Sequence, residues 1–352
     1  MSPPRPITPE RIGEFDCLID ARSPAEFAED HLPGAINCPV LDDEERRIVG
    51  TLYKQQGAFE ARRVGGAMVA ANLARHLREH FADRPASWRP LVYCWRGGMR
   101  SGSMVTWLRL VGWDAQLLAG GYKAYRGWVM RCIAQRAPML NLRVLCGPTG
   151  SAKTRVLAEL AVQGAQVLDL EGLAAHKGSV LGALPGVPQP TQKAFETRLA
   201  EALNRLDLHQ PVFIEAESRK IGRLALPDAL LARLRASPCI ELHASPEARL
   251  AYLLRDYAWL GDDPTRLAHL VGPGGPFHGL HANETLQRWA RWALAGELAP
   301  LFAELMAQHY DPRYARSQHG DFLQLRTAQR VPVASLAFTH LAELARQVRA
   351  AA

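Results

Sequence analysis

The sequence predicts an α/β protein of two successive parallel-sheet domains, the second ending in a helical region. Three observations carry this. Short apolar strands alternate with amphipathic helices from Phe15 to about Ala137. The alternation restarts near Asn141 and continues to about Ala244. In each half a glycine-bearing loop follows a buried strand and opens a helix. The expected division is residues 1–136 and 137–352.

In the first part "FDCLIDAR" reads as a strand with a polar exit. "SPAEFAEDH" opens a helix with a serine cap and a first-turn proline. "LPGAINCPV" is a turn then a strand, "VGGAMVAANLARHLREHF" has helical periodicity, and "RPLVYC" is a central strand. "SGSMVTWLRLVGW" is the next helix, and "DAQLLAGGYKAYRGWV" gives strand, Gly-Gly turn and helix. In the second part "LRVLCGPTGSAKTRVLAELAVQG" is strand, loop and helix, and "AQVLDL", "QPVFIEAES" and "PCIELHA" are further strands. From about Ser245 the pattern turns helical, with "VGPGGPFHGLHANETL" as an internal loop.

A chain of 352 residues can bury two cores, and 48% hydrophobic with 22% charged residues is ordinary for a globular protein. The formal net charge of +7 suits a polyanionic partner such as nucleic acid. Six cysteines, at positions 17, 38, 94, 132, 146 and 239, show neither C-x-x-C pairs nor zinc-ligand spacing, which argues for a reducing compartment. The N-terminal "MSPPRPITPER" lacks an apolar signal core, and no run reaches the roughly 18 apolar residues of a membrane span. A cytoplasmic protein with no membrane partner is expected.

"CWRGGMRS" (Cys94–Ser101) places a cysteine where a buried strand meets a glycine loop. Gly97 and Gly98 let backbone N–H groups curl around a small anion, and the next helix, expected near Ser101, adds its positive end. Arg96 and Arg100 add full charges, a setting that favours the reactive thiolate. The spacing Cys94-x5-Arg100 matches the cysteine phosphatases, where the arginine forks onto phosphate, but their usual histidine before the cysteine is Tyr93 here. "LIDARSPAEFAEDHLPGAIN" (Leu18–Asn37) and "LLAGGYKAYRGW" (Leu117–Trp128) resemble the flanking signatures of rhodanese domains, which carry sulfur or selenium on the loop cysteine. A common rhodanese loop is one residue shorter before its arginine, so phosphatase-like chemistry stays open at this point.

"GPTGSAKT" (Gly147–Thr154) lies between a strand and a helix, the context of a Walker A phosphate loop. Gly147, Lys153 and Thr154 match the pattern; Ala152 stands where it has a second glycine, and Gly150 supplies extra freedom. Thr149, Gly150 and Ser151 complete the phosphate-binding stretch. Lys153 would meet terminal phosphate oxygens and Thr154 a magnesium ion or another oxygen. The acidic partner is sought in "VFIEAES", as Glu215 and Glu217, one of which could instead pair with Arg219 or Lys220.

Both loops in one chain, with "LEGLAAHKGSVLG" (Leu170–Gly182), "FIEAESRKIG" (Phe213–Gly222) and "HYDPRY" (His309–Tyr314), resemble the bacterial tRNA 2-selenouridine synthases over nearly the whole chain. The resemblance implies a rhodanese-like domain followed by a P-loop NTPase-like α/β domain. It also implies a tRNA-modifying enzyme that first geranylates the sulfur of wobble 2-thiouridine from geranyl diphosphate, then replaces S-geranyl with selenium from selenophosphate. Cys94 would hold or deliver selenium, and the phosphate loop would hold the prenyl diphosphate. No tightly bound cofactor is expected; at Thr154 a magnesium ion and a further phosphate oxygen stand as alternatives.

His176 and Lys177 are either contacts for diphosphate or tRNA backbone or simple solvated loop residues, and Gln189, Gln192 and Lys193, which open the next helix, carry the same two readings. Lys123, Arg126, Arg288, Arg291, Arg313 and Arg316 are candidates for tRNA phosphates. Trp289, Trp292 and Tyr310 could stack bases, although the apolar periodicity around Trp289 favours core for at least one tryptophan. Two alternatives stand beside the synthase: a sulfurtransferase fused to an ATP-driven kinase or NTPase, and a non-catalytic tRNA-binding chalcogen carrier.

Overall fold

The computed structural model describes residues 6–352. Two compact units emerge, one from residues up to Cys132 with Thr191–Ala200, the other from Ile133–Pro190 with Glu201–Ala352. Each holds its own five-stranded sheet.

The first sheet contains β1 (Pro6–Ile7), β2 (Cys17–Asp20), β3 (Ile36–Asn37), β4 (Pro90–Tyr93) and β5 (Gln116–Leu118), all parallel in the order β1-β5-β4-β2-β3. Every residue of β4 is buried, as a central strand covered on both faces requires. The helices are α1 (Pro24–Glu29), α2 (Asp43–Gln55), α3 (Ala58–Glu79), α4 (Met99–Val111) and α5 (Gly121–Arg136). Ser23 and Asp42 start α1 and α2 with capping boxes closed by Glu26 and Glu45. Helix α4 opens at Met99, two residues before the expected start, with Gly98 as its cap.

Between the two signature segments lies a buried polar knot. Arg22, 1% exposed, grips Asp20 through its Nε and Nη2 at 2.6–3.0 Å and donates to the Asp30 carbonyl at 2.7 Å. Tyr122 donates to Asp30 Oδ2 at 2.7 Å, and the Arg22 guanidinium lies 3.9 Å from the Tyr122 ring centre. The Leu32 N–H donates to Tyr93 Oη at 3.1 Å, so Tyr93 braces the fold rather than serving chemistry. Charges this deep are tolerated because guanidinium and carboxylate pair directly and share further hydrogen bonds.

The second sheet contains β6 (Asn141–Cys146), β7 (Gln166–Leu168), β8 (Pro211–Glu215), β11 (Cys239–Ala244) and β12 (Gln329–Val333), parallel in the order β12-β11-β6-β8-β7. The small hairpin β9 (Lys220–Ile221) and β10 (Leu224–Ala225) stands apart from it. Helices α6 (Lys153–Val162), α7 (Leu170–Ala174), α8 (Gln192–Arg205) and α9 (Asp228–Ala236) connect the strands. Then come α10 (Pro246–Asp256), α11 (Pro264–Val271), α12 (Asn283–Leu294) and α13 (Leu298–Leu305). A π-helical turn (Met306–Tyr310) runs into α14 (Asp311–Asp321), and α15 (Phe338–Ala350) follows β12.

Strand β12 is a departure from the helical reading after Ser245. It lies at the sheet edge, where Pro332 costs no ladder bond on its open side. Trp289 is fully buried, edge-on to Phe277 with ring centres 5.7 Å apart, and its indole N–H donates to Glu304 at 2.8 Å. It is a core residue, not a base-stacking platform.

Candidate functional site

In the first unit Cys94 sits at the exit of β4, 3% exposed, with Ser101 Oγ donating to its sulfur at 3.1 Å. Ser101 is fully buried one turn into α4, so a fixed hydroxyl supplies a donor to negative charge on the sulfur. Gly121, at φ +59°, lies so close to the loop that a Cβ would strike the Cys94 carbonyl and the Gly97 nitrogen. The Tyr122 and Lys123 amides donate to the Cys94 and Trp95 carbonyls at 2.8 and 2.9 Å, fastening the loop. Arg96 is exposed. Arg100 does not point free charge at the loop: its Nη1 lies 2.6 Å from Glu26, which also holds Arg46 at 2.9 Å. A forked phosphate clamp by Arg100 would first have to break that ion pair.

In the second unit the phosphate loop leaves β6 at the C-terminal edge of the sheet, the usual ligand position in open α/β sheets. Gly150 takes φ +87°, and a Cβ there would lie 3.0 Å from the Arg249 carbonyl oxygen and from Leu253 Cγ. Ala152 caps α6 at φ +57°, the left-handed region that the missing glycine would occupy without strain. Replacing it (Ala152→Gly) is expected to stabilise the second unit by about 1 kcal/mol, roughly 2–4 °C in Tm, read by calorimetry.

Lys153 Nζ donates to the Gly147 carbonyl at 2.8 Å. Thr154 Oγ1 donates to Glu171 at 2.8 Å and lies 3.1 Å from Glu215. Oxygens of Glu171, Glu215 and Glu217 lie within 4.8 Å of one another. Glu171, at the start of α7, is not among the predicted site residues, although it lies in the quoted segment Leu170–Gly182 just past strand β7. Neither Glu215 nor Glu217 pairs with Arg219, which bridges to Asp228 at 3.0 Å instead. Burial first, then mutual repulsion, pushes Glu215 well above the usual carboxylate range and Glu217 up to about 8; burial also raises Glu171. Three close carboxylates beside a threonine hydroxyl form an oxygen donor set that fits a hard divalent cation.

A sign follows for the metal-free protein. Between the ordinary value of 4.5 and about 8, folded Glu217 holds a proton that the unfolded chain has released. Stability therefore falls as pH rises through that window. Urea denaturation from pH 5 to 8 in EDTA should show the fall, Glu217→Gln should flatten it, and magnesium should oppose it most at the upper end.

These groups line a cavity of about 890 Å³. It gathers Thr149–Arg155 of the loop with Glu171, Glu215, Glu217, His176, Lys177, Arg313 and Arg316. His176 is buried with Nδ1 unpartnered. Lys177 is ion-paired to Asp256 and lies 4.6 Å from the Tyr257 ring centre, so neither residue is a solvated loop side chain. A small apolar cleft of about 30 Å³ adjoins the cavity, and Thr149, Ser179, Leu253, Tyr257 and Tyr310 line both. Leu181, Leu260, Phe302, Leu305 and Met306 line the cleft alone.

The other predicted contacts scatter. Arg126 is ion-paired to Glu196 and Arg288 to Glu304, while Lys123 and Arg291 are exposed. Gln189 holds the Ala174 and Ile221 carbonyls, a structural task; Gln192 donates to Glu196 at 3.0 Å and Lys193 to Glu29 at 2.6 Å.

Residues 9–127 match the rhodanese-like domain family, and residues 140–268 match the tRNA 2-selenouridine synthase AAA domain. The tRNA 2-selenouridine synthase of Cupriavidus pinatubonensis is 36% identical over 337 residues, covering 85% of this chain and 87% of that protein. The chain belongs to the tRNA 2-selenouridine synthase family. The synthase of Cupriavidus necator is 33% identical, covering 89% of this chain and 95% of its own. That of Nitrosomonas europaea is 41% identical over 247 residues, 68% of this chain; the match spans 63% of that relative's length. No described helix is long and apolar enough to cross a membrane.

Proposed function

We propose that this member of the tRNA 2-selenouridine synthase family is a cytoplasmic enzyme that converts wobble 2-thiouridine of tRNA to 2-selenouridine in two steps. In the first, the thiocarbonyl sulfur attacks C1 of geranyl diphosphate, the C1–O bond breaks, diphosphate leaves and the base loses its N3 proton. In the second, the selenium of selenophosphate attacks C2, the C2–S bond breaks and geranyl thiol departs with a proton, and water then cleaves the P–Se bond to release phosphate and leave selenium on the base. Alkylation comes first because a thiocarbonyl sulfur leaves poorly, whereas an alkylated one leaves as a thiol.

The observation that carries this reading is the phosphate loop opening onto an apolar cleft through shared residues. A diphosphate head carrying an aliphatic chain suits that combination better than a nucleotide, whose sugar and base are polar; at about 30 Å³ the cleft takes only the first carbons of the chain and has to widen for the rest. Lys153 and the loop amides hold the diphosphate; Tyr257 and Tyr310 stand at the junction with the tail. Glu171, Glu215, Glu217 and Thr154 would hold a divalent cation, which neutralises diphosphate charge when bound. In the other unit, Cys94 with its Ser101 donor handles selenium.

The test is mass spectrometry of nucleosides from 2-thiouridine tRNA incubated with geranyl diphosphate and then selenophosphate. The geranylated nucleoside followed by 2-selenouridine is expected. Bound tRNA left unchanged would favour the chalcogen carrier, and ATP turnover dependent on Lys153 would favour the ATP-driven sulfurtransferase.

A further inference from the structure

Two of the cavity's cations are paired with a carboxylate, and, among the described residues, two others bond only to carbonyl oxygens. Lys153 donates to the Gly147 carbonyl, Lys177 and Arg155 both pair with Asp256, and Arg316 donates to the Pro312 carbonyl. Arg313 lines the same cavity, is exposed to it, and makes no ion pair with a described residue. Its neighbours are the histidine pair His309 and His281, whose rings bond at 2.9 Å. Burial and the Arg313 charge push His309 down to about 4, so His309 adds no charge at pH 7 and the positive charge of this wall is carried by Arg313 and Arg316.

We propose that Arg313 binds the diphosphate in this cavity and is set in place by the buried Arg249–Asp311 pair, an inference that rests on the diphosphate reading above. Arg249, 4% exposed, grips both Asp311 oxygens at 2.8 Å and donates to the Thr149 carbonyl at 3.1 Å. One guanidinium thus ties the third residue of the phosphate loop to the first residue of α14, two positions before Arg313. The π-helical turn just before supplies His309 and Tyr310, and the i, i+4 relation brings Arg313 and Tyr314 onto the same face. An arginine fork matches two phosphate oxygens in one plane. Negative charge grows on the diphosphate as its C–O bond breaks, so a preset cation there favours departure. Arg313 therefore leaves the set of tRNA backbone contacts and joins the machinery of the phosphate loop.

The test is calorimetric titration of the full chain with inorganic pyrophosphate in MgCl2, beside tRNA binding to the same proteins. Arg313→Ala should weaken pyrophosphate about 10- to 100-fold and leave tRNA affinity within about twofold. Arg313→Lys should recover part of the loss, since it keeps the charge without the fork. Asp311→Asn should weaken pyrophosphate too, and adding it to Arg313→Ala should cost nothing more, a non-additivity that mere structural damage does not produce. Unchanged pyrophosphate affinity in Arg313→Ala, with the parent binding normally, overturns the inference alone. A salt-sensitive loss of tRNA affinity instead would make Arg313 a tRNA contact. A parent that binds no pyrophosphate would overturn both this inference and the diphosphate reading.

Discussion

Cys94→Ser should abolish selenium incorporation, by at least about a thousandfold, while geranylated tRNA accumulates. The oxygen of serine is smaller and harder than a cysteine sulfur, so the soft contact that steers selenium toward C2 is lost. The change is small enough to leave the loop intact. Cys94 belongs to a core of Ile19, Val92 and Met104, and the backbone bonds that fasten its loop come from Tyr122 and Lys123 amides, not from its sulfur. Ser101 meets a hydroxyl in place of the sulfur and keeps a hydrogen bond. Folding loss is therefore excluded as the cause once the variant melts like the parent. Nucleoside mass spectrometry with both co-substrates decides: the S-geranyl nucleoside should dominate and 2-selenouridine should vanish. Selenation at the parental rate would remove Cys94 from the reaction and leave its loop a structural relic.

Both loops were legible in the sequence because each is a local event: a buried strand, a few loop residues and a helix start, all within about a dozen positions. Their partners were not, because partners come from distant segments. Glu171 meets Thr154 from another strand–helix junction, 17 residues away. Arg249 reaches Asp311 across 62 residues, and Glu26 takes Arg100 across 74. Charge counts cannot say which arginine a carboxylate will claim, so Arg126, Arg288 and Arg100 read as free cations and turned out paired. The edge strand Gln329–Val333 was hidden for a related reason. Five residues containing a proline carry little strand signal alone, and their pairing with β11 is what selects them. Ala152 was the opposite case: its departure from the glycine pattern was visible, and the left-handed backbone it must adopt shows why glycine is usual there.

Lys153→Ala should do the reverse of Cys94→Ser. Geranylation should fall about 10²- to 10³-fold, the loss typical of removing one preset donor from developing negative charge. The selenium step should survive when the tRNA is supplied already geranylated, because Cys94 and its loop belong to the other unit. The drop should lie mainly in kcat: the loop amides still hold diphosphate in the ground state, whereas the ammonium matters most as the C1–O bond breaks. Lys153 is a clean target, since its one side-chain bond is to the Gly147 carbonyl of its own loop and the fold does not hang on it. Removing it also leaves the carboxylates beside it without their nearest cation, which raises Glu171, Glu215 and Glu217 further. Added magnesium should then restore part of the rate. Following single turnovers by mass spectrometry, with pre-geranylated and plain 2-thiouridine tRNA side by side, separates the steps. Equal losses in both would mean that one loop serves the whole reaction, and no loss in either would take the diphosphate away from this cavity.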